Sequence, residues 1–293
     1  MPLIIVRYGE IGLKSRGVRR RFEDVLLHNI HEAFLAAKLE CLTERERGRI
    51  YVRVSAFKPA AKALQRVFGI VSFSEVVEST SELAELCDNA AEFATGVIKK
   101  GESFAVRATR TGSHPYTSMD VGREAGSSIY ESMKYRGIKV NLTDPDRVIR
   151  IEVRERRAYL FSDAVRGPGG LPLGSQGKVL AVLERKIDAV AAWLMMRRGC
   201  KAVLLCDSEG VAKPLKVWDP NLRTAKLEGD SIGALAGKMR CDAVISGTLA
   251  DGVGSPKPEC DLPTIFPLVG LSRGEIASAL ALISKGVPPR FGN

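Results

Sequence analysis

The sequence lacks the residue pairs that build zinc or redox sites, and it has no long hydrophobic run. Its six cysteines are scattered, with no two separated by two residues, and it contains only three histidines. This spacing predicts buried reduced thiols and no metal site. No apolar stretch approaches the roughly 20 residues that cross a bilayer. Residues 1–10 lack the basic start and apolar core of a secretory leader, so we expect a cytoplasmic protein without membrane contact.

Positive charge is in excess: 44 Lys and Arg stand against 34 Asp and Glu, for a formal net charge of +10. Such a balance indicates a polyanionic partner, although the surface-charge habit of a source organism produces the same excess. The basic residues are clustered, notably over residues 14–21 and 147–157. Local clusters matter more for contact with phosphates than the total charge does.

Hydrophobic periodicity divides the chain into three predicted domains and a linker. Residues 1–78 follow the strand and helix order of a ferredoxin-like domain. Residues 79–166 form a second unit, in which Ser81 is expected to cap the first helix. Residues 167–177 are rich in glycine and proline and predict an irregular linker. Residues 178–293 alternate strands and helices, which predicts a small Rossmann-like parallel sheet with about three core strands. The fold class is therefore a multidomain α/β and α+β protein.

The turn after the first strand of residues 178–293 also lacks the glycines that a phosphate-binding turn needs. In an open α/β sheet, a phosphate would lie over the N-terminus of the helix that follows this turn. Close approach of backbone N–H groups to a phosphate needs small residues. The turn reads Glu184-Arg185-Lys186, with no glycine and with a carboxylate at its first position. The sequence predicts the scaffold of a nucleotide site without its phosphate cradle.

Three long stretches of the chain carry a family resemblance. Residues 7–23 read RYGEIGLKSRGVRRRFE, and residues 104–126 read FAVRATRTGSHPYTSMDVGREAG. Residues 145–180 read PDRVIRIEVRERRAYLFSDAVRGPGGLPLGSQGKVL. These stretches resemble the 4-thiouridine synthetase (tRNA sulfurtransferase) family. The resemblance implies a ferredoxin-like domain, an RNA-binding THUMP domain over residues 79–166, and a PP-loop ATP pyrophosphatase domain over residues 178–293. Residues 243–256 resemble the strand and glycine turn of the family beyond the PP-loop, and residues 265–280 resemble the apolar strand and helix that follow.

In this family the ATP loop reads SGGxDS and wraps the pyrophosphate of ATP while uridine 8 of tRNA is adenylated. Here Glu184, Arg185 and Lys186 replace Ser-Gly-Gly, Asp188 is retained, and Ala189 replaces the final Ser. We interpret the loop as a remnant that has lost ATP binding. Phosphate binding through the side chains of Arg185 and Lys186 is the alternative.

Catalytic and RNA-binding candidates follow from the same patterns. Asp188 is one catalytic candidate, and Cys206, at the end of a predicted parallel strand, is the other, with a buried thiol as its alternative reading. Arg107 and Arg110 are expected to converge on phosphates, with hydroxyl contacts from nearby residues. The basic start of the first long helix opposes the helix dipole, which stability alone does not explain. The RNA-binding candidates are Lys14, Arg16, Arg19, Arg20, Arg107, Arg110, Thr117 and Ser118. A solvated basic surface is the alternative for each of them.

Two functions from different classes remain open. The first is a binding protein without a cofactor, which holds the acceptor region of tRNA with its ferredoxin-like and THUMP domains. The second is a divergent tRNA sulfurtransferase that uses ATP and Mg²⁺ to make 4-thiouridine at position 8. An accessory subunit that presents tRNA to a catalytic or sulfur-carrier protein is a third hypothesis. Dimeric relatives make a homodimer one candidate assembly.

Overall fold

A computed structural model describes residues 1–46, 48–252 and 260–291. Its contacts divide the chain into two compact units. The first unit consists of Met1–Ile5 and Ser74–Ala164, and the second consists of Val6–Phe73 and Val165–Asn293. Most of the predicted ferredoxin-like segment therefore packs in one unit with the PP-loop-like segment. Within the described ranges, no helix is at once long enough and apolar enough to cross a membrane.

The N-terminal elements follow the predicted ferredoxin-like order. They are β1 Leu3–Tyr8, α1 Arg16–Ala36, β2 Cys41–Glu46, β3 Arg49–Val54, α2 Phe57–Leu64 and β4 Ile70–Thr80. The strands lie in the order β2-β3-β1-β4. α1 buries Phe22, Leu26, Ile30 and Phe34, which are spaced at helical intervals and form its core-facing stripe. Periodicity does not locate β2, because its sequence CLTERE is polar and none of its residues is fully buried.

The THUMP segment packs two helices on one face of a sheet. Its elements are α3 Leu83–Thr95, β5 Ser103–Thr111, α4 Ser118–Met133, β6 Lys139–Val140, β7 Arg147–Arg154 and β8 Arg157–Phe161. β5 pairs in parallel with β6 and β7, and β7 pairs with β8 as an antiparallel hairpin. The expectation that Ser81 caps α3 is wrong. Glu82 is the N-cap residue, and its backbone N–H donates to Thr80 Oγ1 at 2.8 Å.

The connector is irregular, as its composition predicts, but it is held in place. After the short strand β9 (Val165–Arg166), no helix or strand is found over residues 167–177. Leu171 N–H donates to the Arg197 carbonyl oxygen at 3.0 Å. Gly170 has φ +71°, and a Cβ there would lie 2.0 Å from that same carbonyl oxygen. Only glycine permits this approach, so the segment docks on the domain that follows it.

The C-terminal segment is a parallel sheet covered by helices. Its elements are β10 Lys178–Val182, α5 Asp188–Arg197, β11 Lys201–Leu205, α6 Glu209–Lys216, β12 Arg223–Ala225, α7 Ile232–Lys238, β13 Ala243–Ser246, β14 Thr264–Ile265 and α8 Arg273–Ser284. The strand order is β12-β11-β10-β13-β14, and every neighbouring pair is parallel. The three expected core strands are β10, β11 and β13, and the short edge strands β12 and β14, of three and two residues, extend the sheet to five.

An aromatic cluster connects the ferredoxin-like elements to this sheet within the second unit. Trp193 of α5 is fully buried, and its ring centroid lies 5.5 Å from that of Phe68 and 5.3 Å from that of Trp218. Phe68 follows α2, so the two segments share one hydrophobic core. Such burial is the main source of their mutual stability.

Candidate functional site

The strand order places a crevice where open α/β sheets bind ligands. Chain order reverses between β10 and β13, and such a switch point opens at the carboxyl ends of the strands. A cavity of about 520 Å³ lies there, between the turn after β10, the segment after β13 and the start of α8. Its lining residues are Glu184, Arg185, Ile187, Thr248, Leu249, Asp251, Gly252, Arg273 and Ile276.

The turn after β10 is occupied by a carboxylate of its own. Asp188, at the start of α5, is 3% exposed. Its Oδ2 accepts hydrogen bonds from the backbone N–H of Glu184 at 3.1 Å and of Arg185 at 2.7 Å. Backbone N–H groups at such a turn are the donors that would otherwise bind a phosphate. The retained Asp188 therefore fills the anion position of its own loop.

Arg185 closes this arrangement from the other side. Its Nη2 donates to Asp188 Oδ1 and to the Gly247 carbonyl oxygen, both at 2.9 Å. A Cβ at Gly247 would lie 2.0 Å from Asp188 Oδ1, so the segment after β13 can pass here only as glycine. The Arg185 side chain is still 53% exposed, but its guanidinium already has two acceptors. Of the two candidate phosphate-binding side chains, only Lys186 is exposed without a described partner.

Ala189 occupies the last position of the loop motif. It is fully buried in the core around Trp193. A methyl group there supplies no hydroxyl to a phosphate, and its surroundings are apolar. Of the five remnant positions, Asp188, Arg185 and the backbone of Glu184 are brought together, whereas Ala189 points into the core.

Cys206 follows β11 and is 7% exposed. Burial and the neighbouring carboxylates of Asp207 and Glu209 raise the pKa of its thiol. These causes disfavour the thiolate, which is the reactive form of cysteine. Among the residues that the structure describes, no three His, Cys, Asp or Glu side chains are arranged to hold a metal ion.

Arg107 and Arg110 do not converge, contrary to the sequence-based expectation. Both lie in β5, and residues three apart in a strand point to opposite faces of the sheet. Arg107 donates to the Leu142 carbonyl oxygen, whereas Arg110 donates to that of Gly112 at 2.8 Å. Both residues are exposed. RNA contact by each of them separately stays a prediction.

Thr117 has a structural role that the sequence analysis missed. It is the N-cap of α4: its Oγ1 accepts from the Asp120 backbone N–H at 3.2 Å and donates to Asp120 Oδ2 at 2.8 Å. The backbone and hydroxyl hydrogen bonds from Thr117 lower the pKa of the Asp120 carboxyl group. The spacing T-x-x-D before a helix is the signal that could have predicted this capping box. Ser118 is the first residue of α4.

The basic start of α1 is the clearest exposed cationic surface among the predicted sites. Lys14, Arg16, Arg19 and Arg20, called here the α1 basic patch, precede or begin this helix. Arg19 is half-buried and the other three are exposed. None of the four has an ion-pair partner within the described part of the chain, and the first turn holds no acidic residue. Their charge is therefore uncompensated locally.

Two further features of the sites were not singled out from sequence. Tyr8 donates a hydrogen bond to Glu23, and burial together with this contact raises the Tyr8 pKa. This buried pair ties β1 to α1 and so positions the α1 basic patch. At the crevice, Arg273 Nη2 pairs with Asp251 Oδ2 at 2.8 Å. The switch-point rule, applied to the turn after β13, could have indicated Asp251. Residues 253–256 of the matched stretch 243–256 lie outside the described residues.

Comparison with known proteins identifies the domains of residues 3–163. The ThiI ferredoxin-like domain model matches residues 3–74, and the THUMP domain model matches residues 80–163. A probable tRNA sulfurtransferase of Methanosarcina acetivorans is 38% identical over 260 residues, which cover 82% of this chain and 62% of the relative. The chain belongs to the tRNA sulfurtransferase family. The predicted ferredoxin-like and THUMP fold is thereby confirmed.

Two further similar proteins show the extent of the match. The tRNA sulfurtransferase of Pyrobaculum aerophilum is 37% identical over 82% of this chain and 50% of its own length. The crystal structure of PH1313 from Pyrococcus horikoshii superposes with a TM-score of 0.80 at 30% identity, covering 95% of this chain and 98% of that one. This chain thus spans about half to three fifths of the curated relatives that it matches.

One solved structure with the same fold contains a nucleic acid. A 4-thiouridine synthetase in complex with RNA and with bound ATP has a TM-score of 0.76 at 23% identity, covering 97% of this chain and 85% of that one. At this identity the likeness shows the shared fold.

Proposed function

We propose that this protein binds the acceptor region of tRNA through its ferredoxin-like and THUMP domains. Membership of the tRNA sulfurtransferase family and the RNA complex of a protein with the same fold support this proposal. The α1 basic patch supplies four cations without local partners, which is the chemistry that phosphates require. The exposed Arg107 and Arg110 extend the candidate contacts to the THUMP domain.

The PP-loop-like domain, on this proposal, does not use ATP. One observation carries the proposal: Asp188 accepts the backbone N–H groups of Glu184 and Arg185, which a phosphate would need. A triphosphate would have to displace a buried carboxylate and break the contact of Arg185 with Gly247. Two anions at one cradle repel each other, and the turn has no glycine to open a second approach. ATP and Mg²⁺ do not fit these residues as they stand.

Calorimetric titration of the full chain with Mg²⁺-ATP tests this half of the proposal. We expect no saturable binding at micromolar concentrations, with or without tRNA. Micromolar binding would contradict the proposal. So would tRNA-dependent release of pyrophosphate that disappears in Asp188→Ala.

Binding of unmodified tRNA, measured at several salt concentrations, tests the other half. We expect affinity to fall steeply with salt, because phosphate contacts release condensed counterions. Arg107→Ala should weaken all tRNA species alike, since phosphate contacts carry no sequence information. Absent or salt-insensitive binding would overturn tRNA as the partner.

A second candidate is an active, divergent tRNA sulfurtransferase that makes 4-thiouridine at position 8. The retained Asp188 and the names of the relatives favour it. Incubation of the protein with unmodified tRNA, ATP and a sulfur donor, followed by mass spectrometry of the nucleosides, separates the two. Formation of 4-thiouridine would establish the enzyme. A copurifying catalytic or sulfur-carrier protein would instead indicate an accessory subunit, and sedimentation analysis would show whether the chain forms a homodimer.

A further inference from the structure

A second cavity lies within the second unit, apart from the turn after β10. It encloses about 390 Å³. This volume is within the range of small-molecule sites, about 300–1,000 Å³. α1 and α2 form one wall, and residues 217–221 with Leu173 and Lys201 form the other. The proposed function makes no use of it.

The interior of the cavity is apolar. Val67, Phe68 and Trp218 line it and are 4%, 1% and 3% exposed. Ala36 at the end of α1 and Ala63 of α2 line it as well, and their short side chains leave the space between the helices and the sheet open. A ligand with a flat apolar body would bury its surface against these residues.

Cations surround this apolar interior. Lys62, Arg66 and Lys201 line the cavity, and none of them has an ion-pair partner within residues 1–46, 48–252 and 260–291. Arg66 Nε is buried and has no hydrogen-bond acceptor. That nitrogen lies beside Gly286, outside the cavity lining, so a ligand in the cavity would meet the accessible part of the half-buried Arg66 side chain.

The acidic residues of the same cavity are already engaged. Glu32 Oε2 accepts from Asn221 Nδ2 at 2.6 Å, and Asp219 Oδ1 accepts from the Asn221 backbone N–H at 2.9 Å. The unpaired cations outnumber these two carboxylates. The local charge therefore favours an anionic ligand over a cationic one.

We infer that this cavity binds a small aromatic anion. Its rings lie over this apolar floor against Val217, which is 38% exposed, and Ala36, and its carboxylate, phosphate or sulfonate group contacts Lys62 and Arg66. The inference does not depend on tRNA binding or on the state of the ATP loop.

Two fluorescent probes that differ only in charge test the inference on the full chain. 8-Anilinonaphthalene-1-sulfonate carries the anion, and N-phenyl-1-naphthylamine has the same rings without it. We expect the sulfonate probe to bind at one saturable site. The neutral probe should bind with about tenfold lower affinity, because it lacks one charge-assisted contact. Equal affinities, or binding that does not saturate at one probe per chain, would overturn the inference.

Matched variants locate the site. Lys62→Gln and Arg66→Gln should each weaken the sulfonate probe about fivefold and change the neutral probe less than about twofold. Lys58→Gln is the control, because Lys58 lies on the same helix, is exposed and does not line the cavity. Ala36→Trp should block both probes by filling the cavity, with its folding checked by circular dichroism. Equal effects of the Lys58 and Lys62 variants, or unchanged binding by folded Ala36→Trp, would exclude this cavity as the site. If Ala36→Trp does not fold, the Lys58 and Lys62 comparison decides alone.

Discussion

The α1 basic patch and the turn after β10 are both rich in charge, but the charges are unpaired in the patch and paired in the turn. In the patch, four cations begin a helix with no acidic residue in its first turn and no ion pair in the described residues. In the turn, Arg185 and Asp188 neutralise each other at 2.9 Å, and Asp188 also takes the nearby backbone N–H groups. The ability of a segment to bind an anion therefore depends on which of its donors remain unpaired, rather than on how many basic residues it contains.

Removing the Asp188 carboxylate from the turn should have the strongest consequence for stability. Asp188→Ala removes the acceptor of two backbone N–H groups and of Arg185, and should lower the free energy of unfolding by about 2–3 kcal/mol. Both tryptophans, Trp193 and Trp218, lie in the second unit, so urea denaturation followed by their fluorescence reports on it. Asp251→Ala is the control: its pair with Arg273 is exposed, and the expected cost is below about 0.5 kcal/mol. Equal costs for the two variants would mean that Asp188 does not hold the turn.

The next effect tests the patch. Replacing Arg16, Arg19 and Arg20 together by Gln should weaken tRNA binding about tenfold or more, and should lower the slope of log affinity against log salt by about 2 to 3. A triple Gln variant of Lys134, Lys216 and Lys238 is the matched control. It removes the same total charge from lysines that have ion-pair partners. Similar losses of tRNA affinity in both variants would mean that the patch acts only through the net charge of the protein.

The Thr117 hydroxyl group caps α4 and is also a candidate contact to RNA. Thr117→Ala removes the N-cap of α4 and should destabilise that helix by about 1 kcal/mol. Hydrogen exchange of the backbone in the first turn of α4 measures this loss. Thr117→Asn keeps a capping side chain without the hydroxyl, so it should restore protection. If Thr117→Asn is protected but binds tRNA more weakly than the wild type, the hydroxyl contacts RNA as well.

The smallest effect concerns Asp219, a buried acid without an ion pair in the described residues. Burial is the largest influence on the Asp219 pKa and raises it. The hydrogen bond from the Asn221 backbone N–H and the charge of Lys201 act in the opposite direction. A raised folded pKa means that the folded state holds the proton more tightly. The stabilisation is complete below the ordinary Asp pKa of about 3.9 and is lost as pH rises through the folded value.

Asp219→Asn has no such loss, and its amide oxygen can still accept from Asn221. We expect it to match the wild type near pH 4 and to become the more stable of the two toward pH 7. Fluorescence-monitored denaturation across this range measures the difference. A gap that narrows as pH rises would contradict the assigned direction of the pKa shift.

Local sequence patterns predicted much of the fold but less of the arrangement of the candidate sites. The apolar stripe of α1 and the alternation of β3 predict those elements, because burial of one face repeats with the period of the backbone. α6 and β12 were not predicted, since both are short and β12 is a partly exposed edge strand. At the sites, residue spacing alone suggested that Arg107 and Arg110 converge. Their place in one strand separates them.

Neighbouring residues were enough to predict that the turn after β10 has no glycine, keeps Asp188 and follows a buried strand. They were also enough to predict that the first long helix begins with uncompensated positive charge. These are properties of neighbouring residues, which composition and periodicity record. The direction in which the donors of the turn point follows instead from contacts between distant segments. The contact between Arg185 and Gly247 joins residues 62 positions apart, and the core around Trp193 unites segments that read as separate domains. Long-range packing sets such contacts, and it leaves no local period in the chain.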